Sequence, residues 1–466
     1  MWKSYLAIGF RSLWKKRAFT VINIVGLAIG LSATLIIATY VREELSYDRF
    51  HEDADNIYRV TEKYQDDVKV VHSAKNHGPL SDIISGRLPG LKHAVRVLNY
   101  PAYVSADRIT KYREDRLIFA DSTFFNVFTF SGVIGNHITS LQAPFSVVLT
   151  ESSALKYFGK TDIIGREIVY EDERASFSFH VTAVIEDIPT NSHFDFDLLF
   201  SMASLNTVMP WFNNWHYPPM YLYIEANSST SRAVMEENIQ TLAFEHQPPE
   251  VRDEKREYFV QPITDIHLHS FLENEWTANN RAAYVHICVG IAAFLLLIAC
   301  INFMNLSTAQ AAQRAREVGV RKVLGAFRQQ LVKQFMTEAC ILCFISLLFA
   351  LGIAELMLMI FFNDLLEKDL SLAFMLDSNY ILAIIALLIL ISLMSGLYPS
   401  FFLSRFKTVL TLKGKTEEAG SVLGLRRVLV IFQFFVAAVL IIGTLSVLKQ
   451  VSLLQNKHLG FERDAL

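Results

Sequence analysis

A few fragments of this chain could do chemistry by residue type and spacing. His267-Leu268-His269 offers two imidazoles alternating as on a strand, the start of a zinc site. No third ligand stands at a spacing that would complete tetrahedral coordination, so the pair reads as a surface strand end. Gly159-Lys160-Thr161 and Gly414-Lys415-Thr416 resemble the end of a phosphate-binding loop. That loop needs a glycine five residues before its second glycine, so that backbone amides can wrap phosphates. Here those positions are Ala154 and Val409, and both fragments are chance matches. Asp195 and Asp197 flank Phe196 as a solvated strand face would. Cys340 and Cys343 have redox-like spacing but lie in an apolar run without a partner His or Cys, which argues packing. Neither a nucleophile elbow nor a zinc-protease helix motif occurs. The expectation is no catalytic residue, no metal and no cofactor, and a chain that binds or transmits force.

The elements around these fragments explain why. The chain has 466 residues, is 52% hydrophobic and carries a net charge of −3; its mean hydropathy is +0.30. The apolar excess is concentrated in a few runs, a pattern of membrane segments plus a water-soluble domain. No strongly basic domain is present to support nucleic-acid binding. A span needs about 20 apolar residues, and residues 18–41, 282–306, 335–362, 378–404 and 428–448 qualify. The first run follows Lys15-Lys16-Arg17 like a signal peptide. It is longer than a signal core and has no small-residue cleavage site, so an uncleaved anchor is expected. Glu355 lies near the end of its run and reads as interfacial. The four cysteines all lie in apolar runs, so residues 42–281 hold no disulfide.

Flanking Lys and Arg residues set the orientation. Residues 1–17, an amphipathic segment, carry five cations and no acid. Residues 305–334 and 405–427 are likewise basic, whereas 363–377 hold four acids against Lys368. These counts put the N-terminus and both basic connections in the cytoplasm, and 42–281 and the tail 449–466 outside. Residues 42–281 are long enough for their own core. Strand-like runs at 146–149, 179–185 and 220–224 alternate with helix-like 151–158 and 231–244, which predicts a mixed α/β domain.

The segment 310–326 is the most informative. Val320, Val323, Leu324, Phe327 and Leu331 recur at helical spacing, with Arg321, Lys322 and Arg328 off that face. Glu317 precedes Arg321 by four, a favourable pairing. The spacing predicts an amphipathic helix over 310–331, and by physics alone it is either an anchor on anionic lipid or a docking surface.

The run Arg314-Ala315-Arg316-Glu317-Val318-Gly319-Val320-Arg321-Lys322-Val323-Leu324-Gly325-Ala326 closely resembles the signature after the second span of MacB/FtsX-like ABC transporter permeases. Asn23-Ile24-Val25-Gly26-Leu27-Ala28-Ile29-Gly30 resembles their opening segment. So do Glu44-Leu45-Ser46-Tyr47-Asp48-Arg49-Phe50-His51 and Ile57-Tyr58-Arg59-Val60, and Gly396-Leu397-Tyr398-Pro399-Ser400 resembles the end of the fourth span. The resemblance implies a multi-pass α-helical membrane protein of the inner (plasma) membrane. It would carry a large MacB-like extracytoplasmic core domain (42–281), an FtsX-like membrane domain (282–404) and a fifth span.

It also implies a cytoplasmic ABC ATPase as partner, docked on Arg314, Arg316, Glu317, Val320, Arg321, Lys322 and Leu324. Further implied partners are a second permease copy or half, a periplasmic adaptor and membrane lipid, but not nucleic acid. The implied function is to pass ATP-driven motion to the outer domain, for efflux of compounds or lipoprotein and peptide handling. The alternative is regulation of a cell-wall hydrolase or relay of a ligand signal. Four-span members end after the fourth span, whereas this chain runs on through a fifth and stops. That resembles the duplicated permeases of Bacteroidetes-type bacteria and implies a truncated half.

Overall fold

The computed structural model describes residues 11, 13–15, 17–65, 69–172, 176–208, 212–215, 220–253, 256–405 and 419–455; within helices, the side chains of 206, 253, 310–319, 321–322, 376, 379, 395, 397–405, 419–426 and 454–455 lie outside the description. The chain divides into two compact units, Arg42–Val285 and the remainder.

Among the described residues of the first unit, thirteen strands form one sheet. They are β1 (Ile57–Gln65), β2 (Val70–Ser73), β3 (Leu91–Asn99), β4 (Ala102–Ser105), β5 (Tyr112–Glu114), β6 (Leu117–Ala120), β7 (Gly132–Ile134), β8 (Ser146–Thr150), β9 (Glu167–Glu171), β10 (Ser176–Ile185), β11 (Leu198–Ser201), β12 (Tyr221–Ala226) and β13 (Glu257–Pro262). The order is β13-β1-β12-β3-β6-β11-β8-β10-β9-β4-β5, with β2 on β1 and β7 on β10. The pairs β8/β10 and β6/β11 are parallel, which requires crossovers; the remaining pairs are antiparallel.

Alternation decides what each strand buries. Val148 of β8 joins one apolar cluster and its neighbours Val147 and Leu149 another on the opposite face. Tyr221 and Tyr223 of β12 likewise face one way, Leu222 and Ile224 the other. A sheet covered on both faces needs unbroken apolar strands, which is why β8 reads Ser-Val-Val-Leu-Thr and is buried throughout. Helix Arg232–His246 covers part of one face through Met235, Ile239 and Ala243, spaced four apart, and begins where Ser231 Oγ accepts from Val234 N. Helix Glu151–Phe158 is capped by Thr150 and closed by Gly159 at φ 68°. Gly159-Lys160-Thr161 therefore ends a helix, whereas a phosphate loop precedes one.

The second unit is helical. Among the described residues, four helical stretches are long and apolar enough to cross a membrane: Arg17–Leu45, Ala282–Ala309, Arg328–Leu366 and Arg427–Leu453. The expected span at 378–404 falls in helix Ser378–Arg405, whose described apolar stretch is the shorter Tyr380–Met394. Helix Arg328–Met357 continues through one π-helical stretch, Leu358–Phe362. Leu27, Leu31, Phe303, Leu342, Leu347 and Ile391 form the core between these helices.

Candidate functional site

The segment expected as a separate helix over 310–331 is not one element. Helix Ala282–Val323 runs unbroken for 42 residues, so its apolar part and residues 310–323 share one axis. Residues 291–318 contain neither Gly nor Pro, and nothing there interrupts the hydrogen-bond ladder. At 1.5 Å per residue the helix is about 63 Å long, roughly twice the hydrocarbon core. The break comes at Gly325, whose φ of 92° is a left-handed conformation that glycine adopts without strain. The next helix starts at Arg328, with Phe327 N donating to Gln330 Oε1 at 3.1 Å.

Val320, Val323, Leu324 and Phe327 are exposed at this turn, Leu324 to 80% and Phe327 to 74%. Leu331, assigned to the same stripe from its spacing, is instead buried in the following helix. Arg314, Arg316, Glu317, Arg321 and Lys322 lie on the helical backbone, and their side chains fall outside the described residues.

A second constellation surrounds residues 44–51, in the large unit. Glu44, on the last turn of helix Arg17–Leu45, is buried; its Oε2 accepts from Asn280 Nδ2 at 2.6 Å and lies 2.8 Å from His267 Nε2. Asn280 N also donates to the carbonyl of His267 at 3.0 Å. Ser46 receives the Asn191 amide at 3.0 Å. Asp48 is fully buried at φ 58°, a left-handed conformation more accessible to Asp than to most residues. Its Oδ1 accepts the backbone N–H of His193 at 3.0 Å and sits 2.8 Å from His193 Nδ1. His193 Nε2 in turn lies 2.9 Å from Tyr223 Oη, whose hydroxyl burial holds protonated well above the usual tyrosine range. An ionised carboxylate only accepts, so the Nδ1–H of His193 faces Asp48. His51 Nδ1 accepts from Thr129 N at 3.1 Å. Burial pushes this imidazole down to about 4, so it is neutral near pH 7.

Glu44, Asp48, His51, His193 and His267 are buried, with Ser46, Asn191 and Asn280 partly so, and each is held by a hydrogen bond, a structural arrangement rather than a reactive one. His267 therefore differs from the strand-end expectation: it is buried, on the short helix Ile266–His269, and engaged by a carboxylate. Among the described residues no group of three or more His, Cys, Asp or Glu side chains is placed to hold a metal.

Both parts of the chain match known proteins. Residues 20–242 match the MacB-like periplasmic core domain, and residues 289–408 the FtsX-like permease C-terminal domain. The chain belongs to the MacB/FtsX-like family of ABC transporter permeases. The ABC transporter permease YvrN of Bacillus subtilis is 21% identical over 423 residues, covering 87% of this chain and 98% of YvrN. The macrolide export ATP-binding/permease protein MacB of Campylobacter jejuni is 31% identical over 93 residues, 20% of this chain but only 14% of MacB. The periplasmic region of MacB from Actinobacillus actinomycetemcomitans overlays 46% of this chain and 91% of its own at 12% identity, with a TM-score of 0.32.

Sequence reasoning missed several polar groups of the permease. Arg59 of β1 has a fully buried side chain and reaches Glu275 at 2.6 and 3.0 Å, Gln261 at 2.8 Å and Ser270 at 2.9 Å. Burial pushes the Glu275 carboxyl up, but the bonds and charge of Arg59 outweigh it and hold the group below its usual range. The only signal was Arg59 standing in the apolar run Ile57–Val60. Asp195 and Asp197 both pair with Arg116, at 2.6 and 3.2 Å. Glu355 accepts the backbone N–H of Leu372 at 2.9 Å and so fastens the loop after its helix.

Proposed function

We propose that this permease sits in the inner membrane with its N-terminus and residues 310–334 in the cytoplasm, and that a separate ABC ATPase docks at the turn closing helix Ala282–Val323. Arg314, Arg316, Glu317, Arg321 and Lys322 would supply polar contacts, and Val320 and Leu324 apolar ones. The observation that carries the reading is the single 42-residue helix ending in exposed Val323, Leu324 and Phe327. ATP binding would draw the docked helix ends together. An unbroken helix passes such a displacement along its axis, because no flexible linker absorbs it. The large domain outside then changes shape around its cargo. Export of a compound already outside the membrane is the proposed output, by similarity to MacB.

The test is recovery of the ATPase with the purified permease carrying Glu317→Lys. An anchor helix gains affinity for anionic lipid from that change. A docking helix loses a paired charge on binding, a cost of about 2–5 kcal/mol. Loss of the ATPase with normal membrane insertion supports docking; recovery at the unsubstituted level rejects it.

A further inference from the structure

We propose that Glu44, His267 and Asn280 form a yoke that makes the end of the first span and the start of the second move together, with His267 as its positioning residue. The inference rests on the relay reading above.

The bonds close a ring. Glu44 lies on the last turn of helix Arg17–Leu45, and Asn280 stands two residues before helix Ala282–Val323. Their side chains bond directly at 2.6 Å. His267 closes the circuit: its Nε2 lies against the same Glu44 oxygen at 2.8 Å, and its carbonyl accepts from Asn280 N at 3.0 Å. Tyr47 covers the imidazole face to face, with 3.4 Å between centroids. Neither end can shift relative to the other without breaking one of these bonds.

Stability alone does not account for this choice. A carboxylate in the last turn of a helix opposes the helix dipole. A buried ionic group can often be replaced by apolar residues of similar volume with no loss, or a gain, in stability. What an apolar plug lacks is direction: it lets the two helix ends slide, whereas hydrogen bonds at fixed angles do not. The same segment is bolted to the sheet independently, because Glu275 holds Arg59 of β1. A displacement of helix Ala282–Val323 therefore has two exits, into the sheet through Arg59 and into the first span through Glu44.

The experiment is amide hydrogen exchange of the full permease with its co-purified ATPase in nanodiscs, with and without ATP plus vanadate. In the unsubstituted complex, segments 42–51 and 263–281 change exchange together on adding nucleotide. In Glu44→Leu, the response of 263–281 persists and that of 42–51 falls to background; the melting temperature falls, because His267 Nε2 and Asn280 Nδ2 lose their shared partner. The double variant His267→Leu/Asn280→Ala, which removes both side-chain partners of Glu44, gives the same split and serves if Glu44→Leu does not fold. A nucleotide response in 42–51 that survives in the folded variant overturns the yoke. Absence of any response in the unsubstituted complex overturns the relay itself, and the yoke with it.

Discussion

The ring of Tyr47 lies flat on that of His267, with 3.4 Å between centroids and 3° between planes. The two residues stand 220 positions apart, one just after the first span and the other ahead of the second. Stacking needs the ring and not the hydroxyl. Tyr47→Phe should melt within about 0.5 kcal/mol of the unsubstituted permease, whereas Tyr47→Ala should lose about 3 kcal/mol or more. Thermal unfolding in detergent, followed by domain tryptophan fluorescence, separates the two. Equal losses would place the contribution in the hydroxyl.

Removing the guanidinium of Arg59 strands the Glu275 carboxylate in a buried pocket. Arg59→Met should cost about 3–5 kcal/mol, because an uncompensated buried charge remains. Adding Glu275→Gln should recover most of that loss. Urea unfolding of the single and double variants checks it; a double variant no better than the single one would show that the charge is not the source.

His51 sets an acid limit on the large domain. Its folded value of about 4 lies below the ordinary histidine value of 6.5. The unfolded chain therefore binds a proton that the folded one refuses, and stability falls as pH drops from 6.5 towards 4. The contribution is fully present above 6.5 and, across the whole window, is on the order of 3 kcal/mol. Melting temperatures at pH 7, 6, 5 and 4 should decline, and His51→Gln should flatten the part of the slope due to this residue. An unchanged slope in that variant would assign the acid sensitivity elsewhere.

Gly26 and Gly30 lie one turn apart on the first span and face the second. A Cβ at Gly30 would stand 2.5 Å from that of Ala299, and one at Gly26 would stand 3.1 Å from Asn302 Nδ2. Close helix crossings in lipid depend on such small residues. Gly30→Ala should destabilise the membrane unit by about 1–3 kcal/mol, and Ala299→Gly should restore it. Gly290, which has nothing within 4 Å of a built Cβ, is the control. Helix propensity by itself favours alanine, so a Gly290→Ala variant as damaged as Gly30→Ala would mean that the crossing at Ala299 is not the source of the loss.

Much of this architecture was legible because it is local. β8 and β10 announce themselves as β-branched runs, and helix Arg232–His246 as the helix-like stretch 231–244. The Glu44–His51 motif could be matched to a family but not explained, because its partners are distant. His193 is 145 positions from Asp48, and Asn280 is 236 from Glu44. No periodicity encodes such pairings. The continuity of helix Ala282–Val323 was obscured for another reason. The change from apolar to charged residues near 310 looks like a boundary, yet it marks a change of surroundings; only Gly325 ends the backbone pattern.

The unbroken helix also makes the permease sensitive to counting. Surface loops absorb an inserted or deleted residue with little disturbance. Inside residues 282–323 a single insertion would turn everything beyond it by about 100° and carry it about 1.5 Å along the axis. Val320, Val323 and Leu324 would then present a different face relative to Ala282, although every hydrogen bond of the helix could re-form. In this segment length is itself information, and homologous chains that work with the same partner should differ here by substitution rather than by insertion or deletion.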